Sequence, residues 1–415
     1  MKVLLAIAFL LSAAAAGHAT DWPQFLGPTR NGVYTGADLA EAWPKEGPAV
    51  VWQEQVGEGF SGPVVAAGKL ILFHRREDKE TIEGFDAKTG KRHWSFSYPT
   101  AYRDDFGFDE GPRATPAIAD GQVVTYGAEG VLTCLDFEKG TKLWSVNTHT
   151  EFHAGKGFFG IACSPLVEGN AILLMVGGRE GAGIVAFNKT NGSVLWKATS
   201  DEASYSSPVA ATIHGIRYAL FLTRAHLCAI EPGNGKVVFQ FPFTPPMRNS
   251  VSAATPLVLE DLVFLSASYG TGAALLKLGP NGPQKLWSGD ETLSNHYATS
   301  VCRDGFLYGI HGRTDPGMEP PASLRCVELQ TGKLRWQQEG FGAAIVTLAG
   351  EDLLILTEKG ELLRVAASPS GFKTKSRAQV LPSQTRAHPA IADGYFYARS
   401  KDKLVCLDLR GGQTK

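Results

Sequence analysis

The residues with the most chemistry to offer lie in two loops. His149, Glu151 and His153 fall close together, and imidazole and carboxylate are ligands for a transition metal. On a helix the two histidines would share a face. This stretch has no helical periodicity, so the spacing imposes no common geometry and reads as a solvated loop. Asp104, Asp105, Asp109 and Glu110 could take calcium through carboxylate oxygens, but the ligand spacing of a calcium loop is missing, and these too read as a solvated loop. The six cysteines, Cys134, Cys163, Cys228, Cys302, Cys326 and Cys406, include no C-x-x-C and no adjacent pair, which favours neither zinc nor a redox dithiol. They read as small buried apolar residues; the full pairings they would permit cannot be told apart by spacing. Ser164 and Ser207 each precede a proline within a recurring phrase, a structural position rather than that of a nucleophile. No catalytic residue and no metal ligand is assigned.

A more diffuse set of residues is better suited to binding. Arg113, Phe159, Tyr205, Asn249, His296 and His388 each stand just ahead of a short, often proline-bearing apolar stretch, with Arg248 and Arg386 beside them. Brought into a ring, such cations, aromatics and amides could grip an anionic or extended peptide ligand by charge-assisted bonds and stacking. They are scattered over most of the chain, so the fold must gather them.

The gathering device is a repeat. GVLTCLDFEKGTKLW, Gly130 to Trp144, reads as a strand, a tight turn opened by Asp136 and closed at Gly140, and a return strand ending on a large ring. Related phrases end at Trp94, Trp196, Phe239, Trp287 and Trp336, between 43 (239 − 196) and 52 (196 − 144) residues apart. That period, with about four short strands per unit, marks the blades of a β-propeller. Inner-strand phrases such as SGPVV, ATPAIADG and HPAIADG begin the units, and small residues there suit a crowded axis.

Trp52 lies on a return strand with no turn before it, whereas the segment from His388 supplies three strands and stops before any tryptophan. Together they make one blade, closed by both ends of the chain. With a degenerate return strand near Val380, the expectation is an all-β protein of eight four-stranded antiparallel blades over residues 50–415. Residues 20–49, with Trp22, Phe25 and Trp43, read as an arm packed on the propeller. Ser97 to Arg113 and Asn147 to Gly160 are the longest connections and open on the mouth where the candidate ring would lie.

Residues 1–19 read as a cleaved signal peptide: Lys2, an apolar run from Val3 to Leu11, then small residues up to Ala19. The run is too short to span a bilayer, no later segment is long and apolar enough to do so, and no cysteine follows at a lipidation position. This predicts a periplasmic or secreted protein without a lipid anchor. A formal net charge of −1 gives no electrostatic ground for a nucleic-acid partner.

With the repeat established, the chain resembles the PQQ-like propellers of the quinoprotein alcohol dehydrogenase-like superfamily, whose signature is A-x-D-x-x-T-G-x-x-x-W. Phe85 to Trp94 and Val327 to Trp336 match it best. DWPQFLGPTRNG and GPRATPAIADG look like an exported, single-propeller subgroup. The resemblance implies one of two roles. One is a non-catalytic scaffold, as in the propeller lipoprotein of the barrel-assembly machinery. The other is an oxidoreductase holding PQQ with calcium, a vicinal disulfide and an Asp base, none of whose cofactor residues can be matched here. The expectation is therefore an exported, non-catalytic binding or protein-interaction scaffold with no cofactor. Its partner would be a protein, peptide or small molecule at the mouth, and a PQQ-using oxidoreductase is the alternative.

Overall fold

In the computed structural model residues 20–36, 39–247, 250–315 and 321–410 are described, and the expected signal peptide lies outside them. Among the described residues eight sheets follow one another along the chain, seven of four antiparallel strands and one of four antiparallel strands with a fifth added in parallel. They are the blades, in order residues 64–99, 117–147, 166–198, 209–242, 257–289, 301–338, 344–379 and 390–408, the last completed from the N-terminal side. Ala49–Gln55 pairs antiparallel with Lys403–Asp408, with Trp52 opposite Cys406, so both ends of the chain close the ring as expected. The return strand expected near Val380 is Thr374–Gln379.

The repeated phrase locks one blade to the next. In the turns, Asp86 Oδ1 accepts the amides of Lys88 and Thr89, and Asp136 Oδ1 that of Lys139. The return strand then slips by a bulge that sets the ring opposite a small residue: Gly84 faces Trp94, Cys134 faces Trp144, Ala186 faces Trp196 and Cys326 faces Trp336. Each indole reaches the turn of the following blade. Trp94 Nε1 donates to the Phe137 carbonyl at 3.1 Å, Trp144 to Lys189 at 2.9 Å and Trp196 to Pro232 at 3.0 Å. Trp287, Trp336 and Trp52 do the same to Leu329, Ser368 and Ala87. The turn glycine serves twice. Gly140 has φ +67°, and a Cβ on it would lie 2.3 Å from the Trp94 ring. Blade 4 offers Phe239, which has no N–H to donate, and the outer strand of blade 7 carries no aromatic.

The arm does more than pack on the outside. Trp22 exchanges backbone hydrogen bonds with Val65 of blade 1, and the Pro23 carbonyl accepts from Ile118 of blade 2. Arg30 donates to the Ser164 and Pro165 carbonyls at the start of blade 3. Val33–Tyr34 adds a parallel strand to the inner strand of blade 7, and the Tyr34 hydroxyl accepts from Gly394 of blade 8. The arm thus bonds to residues in or beside the inner strands of blades 1, 2, 3, 7 and 8. Among the described residues no helix is long and apolar enough to cross a membrane.

Candidate functional site

The residues just ahead of the inner strands converge on one cavity of about 170 Å³ at the mouth. Six of the sequence candidates line it: Arg113, Phe159, Tyr205, His296, Arg386 and His388. Arg248 and Asn249 lie outside the described residues, although Val251 and Ala253 just after them reach the wall. Phe25 of the arm enters the cavity from the channel and meets His388 edge-on at 4.7 Å.

Aromatic faces and guanidinium groups are interleaved here. Arg113 lies 5.4 Å from the Phe60 ring centre and 5.6 Å from that of Phe159. Arg386 lies 5.7 Å from Phe60 and 5.3 Å from Phe108, so Phe60 sits between two cations. Phe159 in turn packs edge-on against Tyr205 at 5.5 Å. Each guanidinium is held by a carboxylate on its edge: Arg113 by Asp104 at 2.7 Å and Arg386 by Glu358 at 2.6 Å. Arg113 also donates to the Tyr102 hydroxyl and the Asp109 carbonyl, tying the long 97–113 connection together. It therefore has a structural role whatever it does for a ligand.

The opposite wall carries a hydrogen-bonded chain. The Thr314 amide donates to His296 Nδ1 at 3.2 Å, which makes Nδ1 an acceptor and leaves the proton of the neutral ring on Nε2. Nε2 meets the Tyr269 hydroxyl at 3.2 Å, and that hydroxyl reaches Asp315 at 3.5 Å. Asp315 is paired with Arg313, whose guanidinium lies 4.2 Å from the Tyr269 ring centre. Burial pushes His296 down to about 4 and raises Tyr269, so both are neutral near pH 7. Burial also lowers His388 to about 4, and its Nδ1 finds no hydrogen-bond partner.

The acidic cluster read as a solvated loop is solvated only at Asp105 and, in part, Glu110. Asp104 and Asp109 are buried; Asp104 holds Arg113, Asp109 Oδ1 accepts from the Gly111 amide, and Asp105 and Glu110 pair with Lys156 and with Arg75 and Arg103. Of these carboxylates Asp104 is the one that fixes the loop to the guanidinium of Arg113. The His149 to His153 stretch is a short helix, Thr148–Phe152, capped by the Asn147 side chain, a local signal too brief for periodicity to reveal. It forms no ligand cluster. All six cysteines are free, and five are buried.

Phe60, Phe108, Tyr269, Tyr297 and Asp315 also line the cavity and escaped the sequence reading. Phe60 had a signal: it precedes SGPVV as Arg113 precedes ATPAI. Tyr269 and Asp315 sit in turns between the second and third strands of their blades, where no repeated phrase marks them.

The fold defines the class: an eight-bladed PQQ-type propeller. The chain belongs to the family described as outer membrane protein assembly factor BamB, whose profile matches residues 27–103 and 99–338. Among solved structures it is similar to BamB from Moraxella catarrhalis, at 14% identity and TM-score 0.64, over 88% of this chain and 99% of that one. It is also similar to the quinohemoprotein alcohol dehydrogenase from Comamonas testosteroni, at 15% identity and TM-score 0.68, over 95% and 81% of the two chains. A europium-containing methanol dehydrogenase matches at 12% identity and TM-score 0.68, over 92% and 90%. At these identities the likeness is one of fold. No protein of curated function matches the chain.

A PQQ-type cofactor held with calcium meets only part of its requirement here. The interleaved rings and guanidinium groups suit a flat, carboxylated ring system. Calcium takes six to eight oxygen ligands, whereas Asp104, Glu358 and Asp315 around the cavity each hold an arginine. The adjacent cysteine pair is missing from the sequence. The calcium-bound arrangement does not fit these residues.

Proposed function

We propose that this chain is an exported propeller whose mouth binds one small, flat, anionic ring compound, such as an aromatic carboxylate or a carboxylated quinone, rather than docking a polypeptide. One observation carries the reading: Phe60 lies between the guanidinium groups of Arg113 and Arg386 at the rim of an aromatic cavity. A concave, mostly apolar wall with a few placed charges is the chemistry of a small-molecule pocket. About 170 Å³ is the scale of a cavity that takes a single benzene ring. The bulk of a larger ligand would lie in the open mouth. This narrows the scaffold expected from sequence to a ligand-binding protein. The family match supports a periplasmic setting, in keeping with the apolar run and small residues before Thr20.

A second reading, an oxidoreductase acting with a bound quinone, is favoured by the His296–Tyr269–Asp315 chain. It presents a neutral imidazole and a phenol to the same cavity, where they could take up or release a proton. A fluorescence and thermal-shift titration of the purified chain with PQQ, with and without calcium and a chelator, separates the two. Saturable binding that survives the chelator and is lost in Arg386→Ala supports the pocket. Dye-linked alcohol oxidation requiring PQQ establishes the second reading. Absence of binding by PQQ and by simple aromatic carboxylates removes both.

A further inference from the structure

Blade 4 carries a cluster that neither the repeat nor the mouth accounts for. His226 and Cys228 lie two apart on the strand His226–Ile230, so both side chains leave the same face. Asp201 comes to them from the connection that follows blade 3, placing the group in the seam between two blades. Its Oδ2 is 2.9 Å from His226 Nδ1 and 3.6 Å from Cys228 Sγ, and the three donor atoms all lie within 4.8 Å of one another. It is the one such group of metal-type ligands among the described residues.

The cysteine is the telling member. Cys134, Cys326 and Cys406 occupy the repeat position opposite the tryptophan, where a small residue makes room for the indole. In blade 4 that position is Ala229, opposite Phe239. Cys228 therefore points to the other face, and the packing rule that explains the other three thiols does not apply to it.

We propose that Asp201, His226 and Cys228 form a site for a borderline-soft divalent cation, zinc in the first instance, with a fourth position left to water. Carboxylate, imidazole and thiolate are all zinc ligands. Bond lengths of about 2.0–2.3 Å set the edges of a tetrahedral site at roughly 3.3–3.6 Å. The two edges that meet at Asp201, 2.9 and 3.6 Å, are within a few tenths of an ångström of these, and the third, between His226 and Cys228, is bounded by 4.8 Å and closes by rotation of the partly exposed imidazole. Outer partners are in place: Gln240 Nε2 donates to the sulfur at 3.4 Å, and the Thr223 hydroxyl lies 2.7 Å from Asp201 Oδ2. Cys228 is sealed, whereas the His226 side chain is 32% exposed, so the site opens to solvent on the histidine side.

Cobalt(II), whose spectrum reports ligand type and geometry, tests this on the full chain after chelator treatment. One equivalent is expected to bind, with the visible bands of a tetrahedral ion and a sulfur-to-cobalt charge-transfer band, and zinc should displace it. Cys228→Ser should abolish the charge-transfer band, His226→Gln should weaken binding by tenfold or more, and Cys163→Ser should change neither. Metal-free Cys228→Ser is expected to melt like the parent. Should it fail to fold, Asp201→Asn serves instead, with the visible bands and affinity as readout. No stoichiometric uptake, or uptake with the band intact in Cys228→Ser, overturns the site. So does unchanged affinity in Asp201→Asn.

Discussion

The outer seams and the central mouth are built from equivalent positions on the same blades, yet they treat those positions in opposite ways. At the seams one answer recurs: an indole from one blade donates to a turn carbonyl of the next and lies on its glycine. At the mouth the equivalent positions hold different residues, Phe60, Arg113 and Tyr205 among them, and each is used once. Repetition marks what every blade needs in order to pack. Its loss marks where the blades together make something none of them makes alone.

The largest effect should come from the one seam closed by distant parts of the chain. Deleting residues 20–56 removes both the closing strand and the arm that bonds to the inner strands, and exposes two sheet edges. A fall in the melting midpoint of about 10 °C or more is expected by calorimetry; a variant that melts like the parent would refute this account of closure. Next is Gly140→Ala, which puts a Cβ 2.3 Å from the Trp94 ring at a positive φ. Denaturant unfolding should show a loss of about 2–4 kcal/mol.

The mouth should behave differently, and its two arginines differ from each other. Arg113→Ala leaves the buried Asp104 without its ion pair and should cost about 1–3 kcal/mol. Arg386→Ala leaves a more exposed Glu358 and should cost less than about 1 kcal/mol while abolishing ligand binding. Equal losses in the two variants would erase the contrast between structural and binding residues.

A further effect is one of pH. His296, His311 and His388 are each lowered to about 4 by burial. Between pH 6.5 and 4 the unfolded chain therefore binds protons that the folded chain does not, and stability falls as pH falls through that window. Melting midpoints taken from pH 7 to 4 should decline, and His388→Phe should flatten the decline by about one proton's worth.

The seams were legible because the same residues recur. Trp144 and Gly140 can be read by comparing the chain with itself, and ring closure followed from a return strand at Trp52 that had lost its turn. The mouth was half legible, since a residue ahead of each inner strand is placed by the repeat whatever its type. Tyr269 and Asp315 could not be found this way, because turns between second and third strands vary freely in length. The depth of burial of Asp104 was hidden too: a run of acids looks solvated until its arginine is known to fold back over it.

Closing the ring with the first strand also sets an order of events in folding. Gln53 meets Lys403 across 350 positions, the reverse of the local hairpin pairings that build the other blades, the added Val33–Tyr34 strand of blade 7 aside. Bringing such distant ends together costs roughly 5 kcal/mol in loop-closure entropy if the intervening chain is disordered, and far less once seven blades already hold it in an arc. The blades therefore form first, outward from their own hairpins, while the earliest strand waits for the latest. During that interval two unpaired edges and an open channel face the surroundings, and this is the stage most exposed to misassembly with a second copy.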